Sequence, residues 1–264
     1  MIFQRDFCLE EKLLKFGNGE ERKMIYQEIF KAGLKDIGKD NLIKNRAILE
    51  FLENIGSYHS DSVGYGANTT ESTGVTWILL EWKLQILKRP KYGQMLDVHT
   101  WGRGMYKFFT YRDFEIYDEQ NNLCVIATSK WALIDIHTRK MVRITEDIVE
   151  KYKPEESKCV FPESDIPRLK APNQFSSSIL DKTRRKDIDL NGHMHNLYYL
   201  DLAYEALPEE VYEKRPFDNV RISYKNEIRL GETVKCEYVK EEDKHIVVVS
   251  SEDGNSLHAI IQLC

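Results

Sequence analysis

The sequence predicts an α+β protein made of two copies of one unit, each a long helix wrapped by an antiparallel β-sheet. Short matches recur along the 264 residues at two offsets. Lys35-Asp-Ile37 returns 151 residues later as Lys186-Asp-Ile188, and Gly93-Gln-Met-Leu96 returns 138 residues later as Gly231-Glu-Thr-Val234. Both halves also show the same predicted order of a strand, a helix and four strands. One such unit leaves its helix poorly covered, so the two units should pair as a tandem (double) hot-dog fold.

The first half contains the predicted elements in that order. We expect a short strand at residues 1–8 and another at Met24–Phe30. A helix is predicted at Asn41–Tyr58, because its apolar residues from Ala47 to Ile55 fall on one helical face. Aromatic and β-branched residues then fill four long runs, which is typical of strands. These runs are Val75–Leu87, Met95–Trp101, Lys107–Tyr117 and Leu123–Ile136.

A proline-rich segment separates the two predicted units. Its four prolines, between Pro154 and Pro172, stand among Glu, Ser and Lys, which is typical of a linker. We therefore predict an N-terminal domain at residues 1–152, a linker at 153–175 and a C-terminal domain at 176–264. The second domain should contain a helix that stops at Pro208. Its predicted strands are Ser178–Arg184, Asn219–Ile228, Thr233–Val239, Ile246–Ser250 and His258–Leu263.

Composition excludes several classes of function. The net charge of −5 argues against general nucleic-acid binding. No apolar run reaches the roughly 18 residues that a membrane span needs, so we expect no membrane insertion. Asp6 and Glu10 interrupt the apolar core that a signal peptide would require. The five cysteines form no CxxC pair, so we expect reduced thiols in a cytoplasmic protein.

The most informative stretch is Asp187–Tyr199, which reads Asp-Ile-Asp-Leu-Asn-Gly-His-Met-His-Asn-Leu-Tyr-Tyr. It places acids, histidines and asparagines immediately before an apolar helical face at Leu200 and Tyr204. The start of a helix offers free backbone N–H groups and the positive end of the helix dipole. Such groups can stabilise an oxyanion that develops during a reaction.

Three other interpretations of this stretch were weighed. An EF-hand calcium loop fits from Asp187 to Gly192, but Tyr198 stands where the loop needs a bidentate Glu. Zinc binding through His193 and His195 lacks a third ligand nearby. A polar turn that caps a helix is the structural alternative. We therefore predict no metal and no cofactor at this stretch.

The repeat favours a catalytic role for the stretch. At the offset of 151, its polar residues align with others in the first half: Asp189 with Gly38, Asn191 with Asp40, and His193 with Leu42. A turn needed only for folding should survive in both copies. A catalytic site that was duplicated once need survive in only one of them.

The same stretch resembles the signature of acyl-[acyl-carrier-protein] thioesterases, which reads D-x-D-x-N-x-H-x-N-N followed by an aromatic residue. These are double hot-dog enzymes of plants and bacteria that release fatty acids from the carrier protein. The chain departs from the pattern at His195, where Asn is usual. Further matches are Thr100–Arg103, Phe109–Phe114 with Arg112, and Tyr224–Glu227, so the resemblance covers nearly the whole chain.

The resemblance implies a set of catalytic residues: Asp189, Asn191, His193 and Glu227. Asn191 can donate its amide to the carbonyl oxygen, and His193 can donate there or relay a proton. Asp189 or Glu227 can orient His193 or take a proton from water. Plant members carry a Cys directly after that Glu, whereas this chain has Ile228. We therefore favour direct attack by water, while an acyl-enzyme through Asp189 or Glu227 stays open.

The resemblance also implies a fatty acyl-[acyl-carrier-protein] thioester as substrate. A thioesterase for acyl-coenzyme A and a non-catalytic protein that senses acyl thioesters are the alternatives, and homodimer formation stays open. We expect Ile55 and Trp77 in the N-terminal unit to line the site of the acyl chain. Arg184, Arg185 and Lys186 should face the acidic carrier protein.

Overall fold

The structure is a computed structural model that describes residues 25–163, 165–214 and 216–264. Its first half contains β1 (Tyr26–Lys31), α1 (Asn45–Ser62), α2 (Thr70–Thr73), β2 (Val75–Ile86), β3 (Met95–Tyr106), β4 (Phe109–Tyr117), β5 (Leu123–Asp135) and α3 (Glu146–Tyr152). The helix and the strands predicted from Met24 onward are confirmed, with ends shifted by a few residues. The strand predicted at residues 1–8 lies outside the described residues.

The second half contains β6 (Ser177–Lys182), α4 (Tyr198–Glu205), α5 (Glu209–Tyr212), β7 (Asn219–Tyr224), β8 (Thr233–Glu241), β9 (Lys244–Ser251) and β10 (Leu257–Leu263). The predicted strands of this half are also confirmed. The prediction of a long helix in each half is wrong for the second, because α4 has only 8 residues. Pro208 has no N–H to continue the helix and instead starts α5 as its N-terminal cap.

The strands of the described residues form one antiparallel sheet. The first half contributes the order β1-β3-β4-β5-β2, and the second half contributes β6-β8-β9-β10-β7, which is the same permutation. Strands β2 and β7 pair edge to edge, from Glu81 with Ser223 to Gln85 with Asn219, and join the two sheets. The predicted repeat and the double hot-dog fold are therefore confirmed.

The main hydrophobic core runs through both halves. Helix α1 buries Leu52 and Ile55 completely against the first sheet, where Trp82 packs on Phe114 with ring centroids 5.2 Å apart. Helix α4 buries Leu200 in the same cluster. Each fully buried aliphatic side chain contributes about 1.5–3 kcal/mol to folding. Among the described residues, no helix combines the length and apolar character of a membrane span.

The segment between the two halves lies against the sheet instead of hanging free. The side chain of Trp101 donates a hydrogen bond to the Lys158 carbonyl at 2.9 Å, and Lys83 pairs with Glu163 at 2.8 Å. Both contacts are on the face of the sheet opposite to α1. Lys83 follows Trp82, which lies in the core, and successive side chains of a strand point to opposite faces of the sheet. The boundaries predicted for the linker and the two domains remain predictions.

Arg89 connects the two halves beside the joint between β2 and β7. Its Nη1 atom donates hydrogen bonds to the Ile43 carbonyl at 2.9 Å and to Asn45 Oδ1 at 2.6 Å. Its Nη2 atom donates to the Phe217 carbonyl at 2.9 Å and to Asp218 Oδ1 at 2.7 Å. Only 7% of the Arg89 side chain is exposed, so water cannot replace these bonds easily.

Replacing Arg89 with alanine should therefore lower the free energy of unfolding by about 2–4 kcal/mol, since several charged hydrogen bonds are lost together. Urea unfolding followed by circular dichroism would measure the change. Arg184→Ala is the matched control, because Arg184 is exposed and its Asp181 contact measures 3.4 Å. The control should stay within about 0.5 kcal/mol of the parent protein. Equal unfolding midpoints for both variants would contradict the assignment.

Candidate functional site

The polar stretch singled out by the sequence forms a closed loop immediately before α4. We call residues 187–195 the signature loop. The Asp189 N–H donates a hydrogen bond to the His193 carbonyl at 2.8 Å, which closes the loop. Gly192 turns the chain with φ at +79°, in the left-handed region that glycine adopts without strain. The loop thus presents several polar side chains from one tight turn.

Asp189 and Asn191 are joined within this turn. Oδ1 of Asp189 accepts hydrogen bonds from the Asn191 N–H at 2.8 Å and from the His193 N–H at 3.3 Å. Oδ2 accepts from the Asn191 side-chain amide at 3.4 Å. Asp189 therefore holds the conformation of the loop, while the exposed Asn191 presents its amide at the surface.

His193 and Glu227 form the central pair of the site. Nε2 of His193 lies 3.1 Å from Oε1 of Glu227, and their side chains are 19% and 38% exposed. The chain after β7 brings Glu227 there, because the Met194 N–H donates to the Ile228 carbonyl at 2.8 Å. A carboxylate at one imidazole nitrogen fixes the tautomer and leaves the other nitrogen able to accept a proton.

Sequence reasoning missed two arginines around Glu227. Nη2 of Arg139 lies 2.6 Å from Oε2 of Glu227, and Nη2 of Arg229 lies 3.6 Å from Oε1. Arg139 belongs to the first half, in the turn after β5. Backbone N–H groups of that turn, first of all that of Thr138, bind Asp135 and lower the pKa of its carboxyl. The only sequence signal was a polar turn after a long strand, which by itself indicates a solvated surface.

The two residues expected to line the acyl-chain site lie in different hydrophobic clusters. Ile55 is fully buried in the main core. Trp77 belongs to a second cluster, where its Nε1–H donates to the hydroxyl of Tyr152 at 3.0 Å. The structure does not bring these two side chains together, and their role stays a prediction.

The three basic residues before the signature loop are exposed. Strand β6 ends at Lys182 instead of continuing to Arg184 as predicted. Arg185 and Lys186 consequently lie in a single turn of 3-10 helix at Arg185–Asp187. Lys186 approaches Asp187 at 3.7 Å, so the segment is partly neutralised by its own carboxylates.

The described residues offer neither a thiol directly after Glu227 nor a cluster of metal ligands. Ile228, which follows Glu227, is fully buried. Burial raises the pKa of the Cys236 thiol to about 12, so this thiol stays protonated at neutral pH. In the described part of the chain, no group of three or more His, Cys, Asp or Glu residues is arranged to hold a metal ion.

Comparison with known proteins identifies the family. The profile described as the acyl-ACP thioesterase N-terminal domain matches residues 23–152. The profile described as the acyl-ACP thioesterase C-terminal domain matches residues 170–262, so together they span most of the chain. The chain belongs to the acyl-ACP thioesterase family. The resemblance drawn from the signature is thus confirmed.

Individual relatives are distant in sequence and similar in fold. Oleoyl-acyl carrier protein thioesterase 1, chloroplastic, of Arabidopsis thaliana is 26% identical over 84% of this chain and 65% of its own length. The chain thus spans slightly less than two thirds of that relative. An acyl-ACP thioesterase structure from Bacteroides thetaiotaomicron superposes with a TM-score of 0.80 at 23% identity, covering 90% of this chain and 96% of that one. The 12:0-ACP thioesterase from Umbellularia californica gives a TM-score of 0.81 at 17% identity, covering 93% and 98%.

The first half of this family member retains the loop but lacks its chemistry. The bond from the Gly38 N–H to the Leu42 carbonyl measures 2.9 Å, close to the matching bond of the signature loop. Leu42 stands in the position of His193. The offset of 138 places Arg89 in the position of Glu227. Both copies therefore retain the backbone turn. Only the second copy has the imidazole of His193 and the carboxylate of Glu227.

A cavity of about 420 Å³ lies between α1 and the signature loop. Asp189 and His195 line it from the loop, and Glu53 and Asn54 line it from the helix. An equivalent cavity of about 670 Å³ lies between α4 and the first-half loop. Each cavity is thus formed by the helix of one half and the loop of the other. Asp189 faces the cavity beside the signature loop.

Arg139→Ala should lower kcat by roughly tenfold to 100-fold, because a charged hydrogen bond worth about 1.5–3 kcal/mol orients Glu227. Arg139→Lys should recover part of the loss by keeping the charge. Steady-state kinetics of thioester hydrolysis would measure both variants. Arg143→Ala, an exposed arginine four residues further on, is the control and should match the parent. A change confined to KM would contradict a role in positioning Glu227.

Proposed function

We propose that this chain hydrolyses fatty acyl-[acyl-carrier-protein] thioesters to a free fatty acid and the carrier thiol. The observation that carries the proposal is the pair formed by His193 of the signature loop and Glu227 after β7, 3.1 Å apart, in a family member. The first half has Leu42 and Arg89 at the equivalent positions. The relatives named as thioesterases for acyl carrier protein support the same activity.

Water is the nucleophile in this proposal. His193 accepts a proton from water as it attacks the thioester carbon, and Glu227 stabilises the imidazolium that forms. Arg139 and His193 already engage both oxygens of Glu227, which favours an orienting role over attack by Glu227 itself. Asn191 has its amide available to donate to the developing oxyanion. Asp189 holds the loop in the shape that these steps need.

The acyl chain is proposed to lie in the first half. Helix α1 and strand β2 carry Ile55 and Trp77 there, in the half whose loop lacks the catalytic groups. A cytoplasmic location also stays a proposal. The four cysteines within the described residues are free thiols, which fits a reducing compartment. Homodimer formation remains an open prediction.

The decisive experiment measures thiol release from acyl-carrier-protein and acyl-coenzyme A thioesters of matched chain length. Wild-type protein should hydrolyse the carrier-protein series more efficiently. His193→Ala should lower kcat by about 10²–10⁴, the usual range for a group that transfers protons. His99→Ala, the same truncation on β3, is the control and should retain activity.

Three results would change the assignment. Higher kcat/KM with the coenzyme A series would make the chain an acyl-coenzyme A thioesterase. Binding of acyl thioesters without release of any thiol would favour the non-catalytic sensor. Wild-type turnover by His193→Ala would overturn the proposed catalytic site.

We propose further that Arg184, Arg185 and Lys186 contact the carrier protein. Acyl carrier proteins are acidic and this chain has a net charge of −5, so productive approach needs a local basic surface. The three residues are exposed and directly precede the signature loop.

Reversing the charges of Arg184 and Lys186 to Glu should raise KM for the carrier-protein substrate several-fold at low salt, because electrostatic steering is lost. The effect should fade at 0.5 M salt, where exposed charges are screened. KM for an acyl-pantetheine without carrier should not change. Arg168→Glu with Lys170→Glu, two exposed linker residues, is the control of equal charge. Equal KM values for both double variants would remove the docking proposal.

A further inference from the structure

Glu53 is a carboxyl group in an unusual position, facing the signature loop from the helix of the other half. It lies within α1, and 17% of its side chain is exposed. Its Oε2 atom is buried and has no hydrogen-bond partner among the described residues. Leaving a polar oxygen buried and unpaired is unfavourable by about 1–3 kcal/mol, so the contacts among the described residues do not account for a carboxyl group at this position.

Glu53 shares a cavity with two residues of the signature loop. Glu53, Asp189 and His195 line the same cavity of about 420 Å³. Nε2 of His195 lies 3.9 Å from Oε1 of Glu53. Nδ1 of His195 accepts a hydrogen bond from the Leu197 N–H at 3.3 Å, which leaves Nε2 as the nitrogen that carries hydrogen toward Glu53. His195 is also the residue at which the chain departs from the family signature.

Burial of Glu53 favours the neutral form of its carboxyl group. Burial raises the pKa of this carboxyl, His195 opposes that effect, and the negative charges of Asp189 and Glu50 add to it. A carboxyl group whose pKa is raised is suited to act as a general acid. Glu53 and Asp189 face the same cavity from different halves of the chain.

The two cavities differ at this position. At the offset of 151, Tyr204 of α4 corresponds to Glu53, and it lines the larger cavity beside the first-half loop. There its hydroxyl accepts a hydrogen bond from the Asn45 side chain at 3.0 Å. The equivalent positions thus carry a carboxyl group beside the signature loop and a phenol beside the first-half loop.

We propose that Glu53 is a catalytic residue that protonates the leaving thiol, an inference that rests on the proposed hydrolase function. In this step the bond between the acyl carbon and sulfur breaks while a bond from water to that carbon forms. The sulfur takes the proton of Glu53, and the proton of water passes to His193. Proton exchange with solvent then returns both groups to their starting forms. No oxidant, metal or cofactor enters the balance.

The test compares two leaving groups in one protein. An acyl-pantetheine releases an alkyl thiolate that needs protonation, whereas an acyl thioester of 2-nitro-5-thiobenzoate releases a thiolate that is stable without a proton. Glu53→Gln should lower kcat/KM for the acyl-pantetheine by about 10²–10⁴. For the nitrothiobenzoate ester, the loss should stay below roughly tenfold. Because both esters are assayed on one preparation, the ratio of the two losses does not depend on the fraction of folded protein.

Glu205→Gln is the matched control. Glu205 is an exposed carboxylate on α4 that lines the other cavity, beside the first-half loop. Its substitution removes one carboxylate and should leave the ratio of the two rates unchanged. Losses of equal size on both esters in Glu53→Gln, or no loss on either, would overturn the acid role of Glu53. Absence of hydrolysis of both esters and of acyl-carrier protein by the wild-type protein would instead overturn the proposed function, and this role with it.

Discussion

The pairing of β2 with β7 is the contact on which the rest of the structure depends. Five residue pairs, from Glu81 with Ser223 to Gln85 with Asn219, join two five-stranded sheets edge to edge. The two strands are equivalent members of the repeat, and antiparallel pairing of equivalent strands relates the halves by an approximate twofold rotation. Each helix therefore faces the loop of the other half. The cavity beside the signature loop and the contact from Arg139 to Glu227 exist only because of this joint.

The two copies show how one backbone can serve two purposes. Both loops are closed by equivalent backbone hydrogen bonds. Each loop also forms an isolated β-bridge with the chain after the joining strand of its own half. Leu42 pairs with Lys91 after β2, and His193 pairs with Arg229 after β7. At equivalent positions after these strands, Arg89 donates to groups of both halves, whereas Glu227 accepts from His193 and Arg139. Arg89 therefore helps to hold the two halves together. Glu227 keeps a carboxylate beside the imidazole of His193.

Sequence patterns predicted the parts of the fold that depend on local chemistry. Strands and α1 follow from side-chain periodicity, and the repeat follows from short matches at constant offsets. The stop near Pro208 was predicted, but no local pattern showed that α4 would begin only at Tyr198 and contain 8 residues. Arg139 and Glu53 were missed for a different reason. Arg139 meets Glu227 across 88 residues of chain, and Glu53 meets His195 only across the joined halves, so no local pattern records either contact.

The first half contributes to the site in two ways that its sequence did not reveal. Assigning catalysis to one unit and acyl binding to the other places Asp189, Asn191, His193 and Glu227 together in the second half. The geometry adds a guanidinium at 2.6 Å from Glu227 and a buried carboxyl in the cavity wall, both from the first half. An isolated second half would leave Glu227 without Arg139, and Asp189 would face solvent instead of α1. The loss of polar groups from the first-half loop therefore did not remove the contacts that this half makes with the candidate site.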